Sequence, residues 1–313
     1  MQIEKNMDCQ ARTRLSYLFD DGKYTEINSY AKENDCLTGV VTAYGYVNGN
    51  AVYAFSQDKS INNGAVGPAH AAKIAKLYSL AAKTGTPVIG IHDSNGAFVN
   101  GTAESLTAYG ELINAASVIS GVVPQISVVA GTCAGSAALF ACSSDFIIMT
   151  KDAEFFMTPA FTKENSGSAS DAAANGIAAA VCDDDKAAIE KAKELINLMP
   201  VNNLAPLPMF EYNEPETAVS ADFNSLINGV CDAESIIELY AEFGKASYTA
   251  LATVNGATVG IAATNKTSDK LTDADCSKLS RFIRTCDAFA VPVITFVDTE
   301  GFDAADALSL IHI

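Results

Sequence analysis

Residues 68–98 read PAHAAKIAKLYSLAAKTGTPVIGIHDSNGAF, and the fold can be worked out from this stretch. Its apolar positions Ala71, Ile74, Leu77, Tyr78 and Ala81 return with a helical period, Pro68 stands where a first helical turn tolerates proline, and Gly85 stands where a helix ends. The spacing predicts a helix over 68–83. The β-branched run 87–91 then predicts a short strand that stops at Asp93-Ser94-Asn95-Gly96, a turn composition. Shifting the register by 205 pairs Lys73 with Lys278, Pro87 with Pro292, Val88 with Val293, Ile89 with Ile294, Asp93 with Asp298 and Gly96 with Gly301, without a gap. Upstream, VNGNAVYAFSQD from Val47 faces VNGATVGIAATN from Val254, an Asn-Gly hairpin signal in both, with the offset changed by two. Helix, strand, Asp and Gly keep register together, which points to an internal duplication.

Further along the chain, a helix over 106–119, a strand over 125–129 and the small-residue turn GTCAGSAALF repeat the same logic. Alternating elements predict an α/β fold in two copies. Residues 183–199 form one more amphipathic helix with three Asp at its start, where the helix dipole favours negative charge. Pro200, Pro206, Pro208 and Pro215 then crowd a segment that no helix or central strand tolerates. We therefore expect a first domain over 1–199, a linker over 200–216 and a second domain over 217–313. The counterpart of the Gly135 turn is expected near position 340 (135 plus the offset of 205), so the second copy is expected to be incomplete in this chain. Residues 308–313, LSLIHI, also translate CTGTCTCTTATACACATC, a sequencing-adapter end, and are expected to be foreign to the protein.

Composition excludes several classes. With 49% apolar residues the chain is not disordered, and 20 basic against 37 acidic residues, a formal charge of −17, argue against binding nucleic acid. The eight cysteines show no C-x-x-C spacing and only His70, His92 and His312 are present, so no metal site is expected and the thiols are expected reduced. The N-terminal MQIEKNMDCQARTRL lacks an apolar signal core, which predicts a cytoplasmic protein. Residues 112–144 carry no charge, yet Gly121, Pro124, Gln125, Gly131 and Gly135 break them into the pieces of a buried α/β layer rather than a membrane span.

Chemistry is expected at the strand ends. A strand entering a small-residue turn and then a helix leaves backbone N–H groups unpaired and convergent. Ala97, after Asn95-Gly96, and Gly135 or Ser136, after Ala134, are the candidate donors to a developing oxyanion.

The segments 39–98 (GVVTAYGYVNGNAVYAFSQDKSINNGAVGPAHAAKIAKLYSLAAKTGTPVIGIHDSNGAF) and 120–149 (SGVVPQISVVAGTCAGSAALFACSSDFIIM) closely resemble the carboxyltransferase subunits of biotin-dependent acyl-CoA carboxylases and decarboxylases. RLSYLFDDGKYTEI (14–27) and RFIRTCDAFAVPVITFVDTEGF (281–302) match as well, and the likeness runs from about Arg12 to Phe302, weakest between Thr158 and Ser220. The resemblance implies a duplicated crotonase-like fold of the α/β class. It implies carboxyl transfer between carboxybiotin and a short-chain acyl-CoA through an enolate held by backbone N–H groups, here Ala97 with Gly135 or Ser136. Phe302, aligned with Ala97, would serve the biotin ureido oxygen, with Asn95, Gly96, Ala134 and Gly301 against the ligands. Biotin would arrive on a separate biotin carboxyl carrier protein, the further partners being a biotin carboxylase or a membrane sodium-pump decarboxylase subunit, and the assembly would be a homo-oligomer.

The chain departs from the family at DSGGAR, where it has Asp93-Ser94-Asn95-Gly96-Ala97-Phe98, and at CAGGA, where Ser136 replaces the second glycine. Asn95 and Ser136 are strained if those turns place them at positive φ. Glu300 stands where the family commonly has proline. A crotonase-type hydratase or isomerase would instead use Glu104 and Glu111 as acid and base, which burial would have to tune. The departures at Asn95, Phe98 and Ser136 raise a non-catalytic scaffold subunit as a further alternative. A serine peptidase would need His92 near Ser94 or Ser136. His70 is read as a surface or capping residue or a ligand contact, Lys73 and Lys76 as a solvated face or CoA-phosphate contacts, and Asp93 and Asp298 as turn formers.

Overall fold

Gly67 in extended conformation and Pro68 at the first helical position open the helix Pro68–Thr84, and Gly85 closes it in the left-handed region at φ 62°. Ala71, Ile74, Leu77 and Ala81 are fully buried, as their period requires. The computed structural model describes residues 9–33, 36–98, 102–158, 166–264, 266–267 and 269–303; the segment 308–313 and its adapter-like sequence lie outside them.

The chain divides into two compact units, residues 1–172 with 181–197 and residues 173–180 with 198–313. In the first, the sheet runs in the order Tyr24–Ile27, Val40–Val47, Asn50–Gln57, Val88–Ser94, Gln125–Ala134, Phe146–Thr150, Ala180–Cys182, and Glu154–Phe156 pairs beside the end of Gln125–Ala134. The hairpin Val40–Val47/Asn50–Gln57 is antiparallel and the following central strands are parallel. Every residue of Val88–Ser94 is buried, as in a sheet covered on both faces. Both central strands outrun their expected ends. Val88–Ser94 carries Asp93 and Ser94 as strand residues rather than turn residues, and Gln125–Ala134 continues past Val129 through an irregularity in the pairing.

The second unit repeats the first. Its hairpin Tyr248–Val254/Ala257–Ala263 is followed by the helix Asp273–Ala288 and the parallel strand Val293–Phe296. The pairing Tyr53↔Val88 recurs as Gly260↔Val293, an offset of 207 in the hairpin (53 to 260) and 205 in the strand (88 to 293), the two offsets seen in the sequence. Smaller devices recur with it. Lys73 donates to Val40 O at 2.6 Å and Lys278 to Ser247 O at 3.0 Å. The left-handed cap at Gly85 recurs at Ala290, φ 54°. Residues 200–216 belong to this unit, where Phe210 N–H donates to Gly256 O. The eight cysteines form no disulfide. Among the described residues no helix is long and apolar enough to cross a membrane.

Candidate active site

Parallel pairing brings the two expected turns side by side. Ser94 lies opposite Cys133, and a Cβ on Gly96 would come within 2.8 Å of Ala134 O, so Asn95–Ala97 and Ala134–Ser136 leave adjacent strand ends together. Gly96 takes φ 99° and its N–H donates to Ser94 Oγ at 3.1 Å. Its carbonyl accepts from Val66 N–H at 2.9 Å, while Phe98 N–H donates to Val66 O at 3.0 Å. In such a bridge the middle residue turns its amide away from the partner. The Ala97 N–H accordingly has no partner among the described residues.

The second turn resolves which of its amides is free. Gly135 adopts φ 59°, ψ −125° and donates its N–H to Phe156 O at 2.8 Å. Ser136 begins the short helix Ser136–Ala141, so its N–H lacks an intrahelical acceptor and is unpaired among the described residues. Neither Asn95 nor Ser136 takes positive φ; the glycines carry it, and the two departures from the family pattern cost no backbone strain. Asn95, Ala134 and Gly135 line a cleft of about 540 Å³, together with Lys59, Thr132 and Met157.

The second unit rebuilds the first turn. Gly301 takes φ 112°, its N–H donates to Thr299 Oγ1 at 3.2 Å, and its carbonyl accepts from Leu271 N–H at 3.0 Å. Asp303 N–H donates to Leu271 O at 2.9 Å, which leaves Phe302 placed against Leu271 as Ala97 is against Val66, its N–H unpaired among the described residues. Asp298, Thr299 and Glu300 border a cleft of about 370 Å³ with Phe223 and Lys266.

Other sequence candidates take different roles. Asp93 is no turn former: it is buried, with Oδ2 accepting from Arg14 Nη1 at 3.0 Å. Asp298 is exposed and its N–H donates to Thr264 Oγ1 at 3.1 Å, as Asp93 N–H donates to Gln57 Oε1 at 3.1 Å. Lys73 is buried and bonded to a carbonyl, neither on a solvated face nor open to phosphate, whereas Lys76 is exposed. His70 is buried against Gln57 at 3.4 Å, and burial, with Lys73 adding to it, holds its imidazole down at about 3. His92 bonds Ser127 Oγ at 3.0 Å and is likewise held down to about 3 by burial, while Ser94 Oγ serves the Gly96 turn, so among the described residues His92 pairs with neither Ser94 nor Ser136. Glu104 and Glu111 are exposed, without the burial an acid–base role asks of them. Among the described residues no group of His, Cys, Asp and Glu side chains is placed to hold a metal.

Sequence reasoning passed over Arg14, Lys59 and Thr132. Arg14 stands in the quoted RLSYLF stretch, but its partners Asp93 and Asp185 lie far along the chain. Lys59 Nζ sits 3.1 Å from Thr132 Oγ1 and 3.7 Å from Asp93 Oδ1.

A family model described as "Carboxyl transferase domain" matches residues 8–307. The chain is 35% identical over 330 residues to the methylmalonyl-CoA decarboxylase subunit alpha of Propionigenium modestum, covering 93% of this chain and 64% of that protein. It is 32% identical over 344 residues to the propionyl-CoA carboxylase beta chain of Roseobacter denitrificans, covering 96% and 68%. Among solved structures it is similar to transcarboxylase 12S, described as a hexamer with methylmalonyl-coenzyme A and methylmalonic acid bound, at TM-score 0.90 and 31% identity over 96% of this chain and 66% of that one. The chain thus spans 64% of the decarboxylase subunit's length.

Proposed function

The chain belongs to the carboxyl transferase domain family, and from that membership we propose that it moves a carboxyl group between carboxybiotin and a short-chain acyl-CoA, in the carboxylase or the decarboxylase direction. Its fold is the crotonase-like α/β fold of the family, with the repeat seen in the two units. The observation that carries the reading is the pair of equivalent amides without a partner among the described residues, Ala97 in the first unit and Phe302 in the second, each left over by the same bridge.

In this mechanism the thioester oxygen sits against the N–H groups of Ala97 and Ser136, and Gly135, whose amide is engaged, supplies the turn instead. When the acyl α-carbon carries negative charge, that charge moves to the thioester oxygen. Two fixed dipoles aimed there stabilise the enolate more than the ground state, each worth about 3 kcal/mol at a hole of this kind. No side-chain nucleophile or triad is called for, consistent with two buried, neutral histidines bonded elsewhere. Asn95 and Ala134 line the same cleft, and in this reading the acyl group lies against them.

Biotin, delivered on its carrier protein, would supply or accept the carboxyl group. The residues present fit it: the Phe302 amide is a donor without a partner among the described residues, and Gly301 holds the turn that aims it. A biotin carboxyl carrier protein is accordingly a proposed partner, with a biotin carboxylase or a membrane sodium-pump decarboxylase subunit as the third component. A homo-oligomer in the cytoplasm is the proposed state; the hexamer described for transcarboxylase 12S supports the oligomer.

The test uses full-length protein with methylmalonyl-CoA or malonyl-CoA, and follows CO₂ release with and without free biotin. Biotin-dependent release is expected. Tight CoA-thioester binding with no turnover of either compound would overturn carboxyl transfer in favour of a scaffold role.

A further inference from the structure

The two strands that carry the thioester-side turns do not stay in step. They pair from Val88↔Gln125 to His92↔Val129 and resume at Ser94↔Cys133, so two residues on one strand span four on the other. Such a bulge forfeits ladder hydrogen bonds and re-aims the residues beyond it. Here the forfeited bonds go to two buried side chains. Ala130 O accepts from Arg14 Nη2 at 2.9 Å, and Thr132 N–H donates to Asp93 Oδ1 at 3.3 Å. Arg14 and Asp93 are themselves joined at 3.0 Å. A Cβ at residue 131 would lie 2.3 Å from the Asp93 carboxylate, so the Gly131 bulge and the carboxylate are built around each other.

We propose that the Arg14–Asp93 pair is the positioning element of the thioester site, setting the offset between the two strand ends and hence the spacing of the Ala97 and Ser136 amides. Asp93 stands two residues before Asn95, and Thr132 two before Ala134. Arg14 also donates to Asp185 Oδ2 at 2.7 Å, so two carboxylates share one guanidinium. Lys59, 3.7 Å from Asp93 Oδ1 at the cleft, balances the second charge. Among the described residues the second unit shows no such device. Asp298, the counterpart of Asp93, is exposed and makes no ion pair among the described residues. What the positioning serves rests on the carboxyl-transfer reading; the positioning itself does not.

The experiment compares wild type with Arg14→Lys, which keeps a charge but cannot fork to Asp93, Ala130 and Asp185 at once. Lys59→Met, altering a half-exposed side chain, probes the same network where folding is not at stake. Calorimetry measures binding of propionyl-CoA and of a CoA conjugate whose nitronate mimics an enolate; hydrogen exchange follows residues 95–98 and 134–137 without ligand. Arg14→Lys should hold propionyl-CoA within about threefold of wild type and lose on the order of tenfold or more against the nitronate, and Lys59→Met, which removes a cation bordering the cleft, is read by exchange at the turns. Exchange should quicken at the two turns while the helix Pro68–Thr84 stays protected. Equal losses for both ligands, or exchange that is unchanged or raised everywhere, would overturn the inference. Wild type that does not prefer the nitronate would count against the carboxyl-transfer reading, and exchange at the turns then decides the positioning role by itself.

Discussion

At the scale of single residues, Gly135 shows how conformation rather than space can be the constraint. A Cβ there would meet nothing nearer than Met157 O at 3.9 Å, yet φ 59° with ψ −125° is a backbone state that L side chains avoid. Gly135→Ala is therefore expected to cost about 1–3 kcal/mol and to misplace the Ser136 amide. Urea unfolding and turnover check it: stability should fall and kcat should fall with little change in KM, while an unchanged kcat would remove Ser136 from the oxyanion site. Gly131 is constrained for the opposite reason, by the carboxylate packed against it. Glycine turns are legible in a sequence, and both positive-φ positions, Gly96 and Gly135, were. Which amide stays free was not, because Gly135 is bonded to a carbonyl on another strand.

Among the elements, the two hairpins share a device with different exposure. Asn48-Gly49 and Asn255-Gly256 turn with both residues at positive φ, the geometry that the Asn-Gly pair announces. The amides of the first turn donate to Asp20 and those of the second to Asp232, each at 2.7 to 2.9 Å. Asp232 is buried and also accepts from Thr253 Oγ1 at 2.7 Å, whereas the Asp20 bonds are exposed to water. Losing a buried carboxylate orphans its donors, so Asp232→Ala is expected to cost about 3 kcal/mol and Asp20→Ala about 1. Chemical denaturation of the two variants checks the order; equal costs would refute the argument from burial. The turns were readable from Val-Asn-Gly in each copy, but the aspartates that brace them come from separate segments and carry no local signal.

For the molecule as a whole, acid stability follows from its buried histidines. Burial holds His70 and His92 neutral in the folded protein, with values of about 3. In the unfolded chain a histidine titrates near 6.5. Between about 6.5 and 3 the unfolded state therefore binds more protons, and stability falls as pH drops, by up to about 1.4 kcal/mol per pH unit for each residue. At pH 7 and above the contribution is complete. Urea midpoints at pH 7 and pH 5 should decline for wild type and decline less for His92→Gln, the comparison cancelling the general effect of neutralising an acidic protein. Parallel slopes would show that His92 does not stay neutral in the fold.

The repeat, the order of helix and strand, and the glycine turns were all legible in the sequence, since each is written in local terms: a 3.6-residue apolar period, β-branched runs and glycine where φ is positive. The shared offsets of 205 and 207 carried over into strand register because a hairpin and its crossover helix keep their spacing when copied. What Asp93, Lys73 and the histidines do was settled by the tertiary contacts alone. Burial and pairing depend on groups distant in sequence, such as Arg14 and Asp93, which stand 79 residues apart. The central strands passed their expected ends for the same reason: side chains from elsewhere take up the hydrogen bonds that the bulge releases, and the buried carboxylate at residue 93 belongs to the strand rather than to the turn.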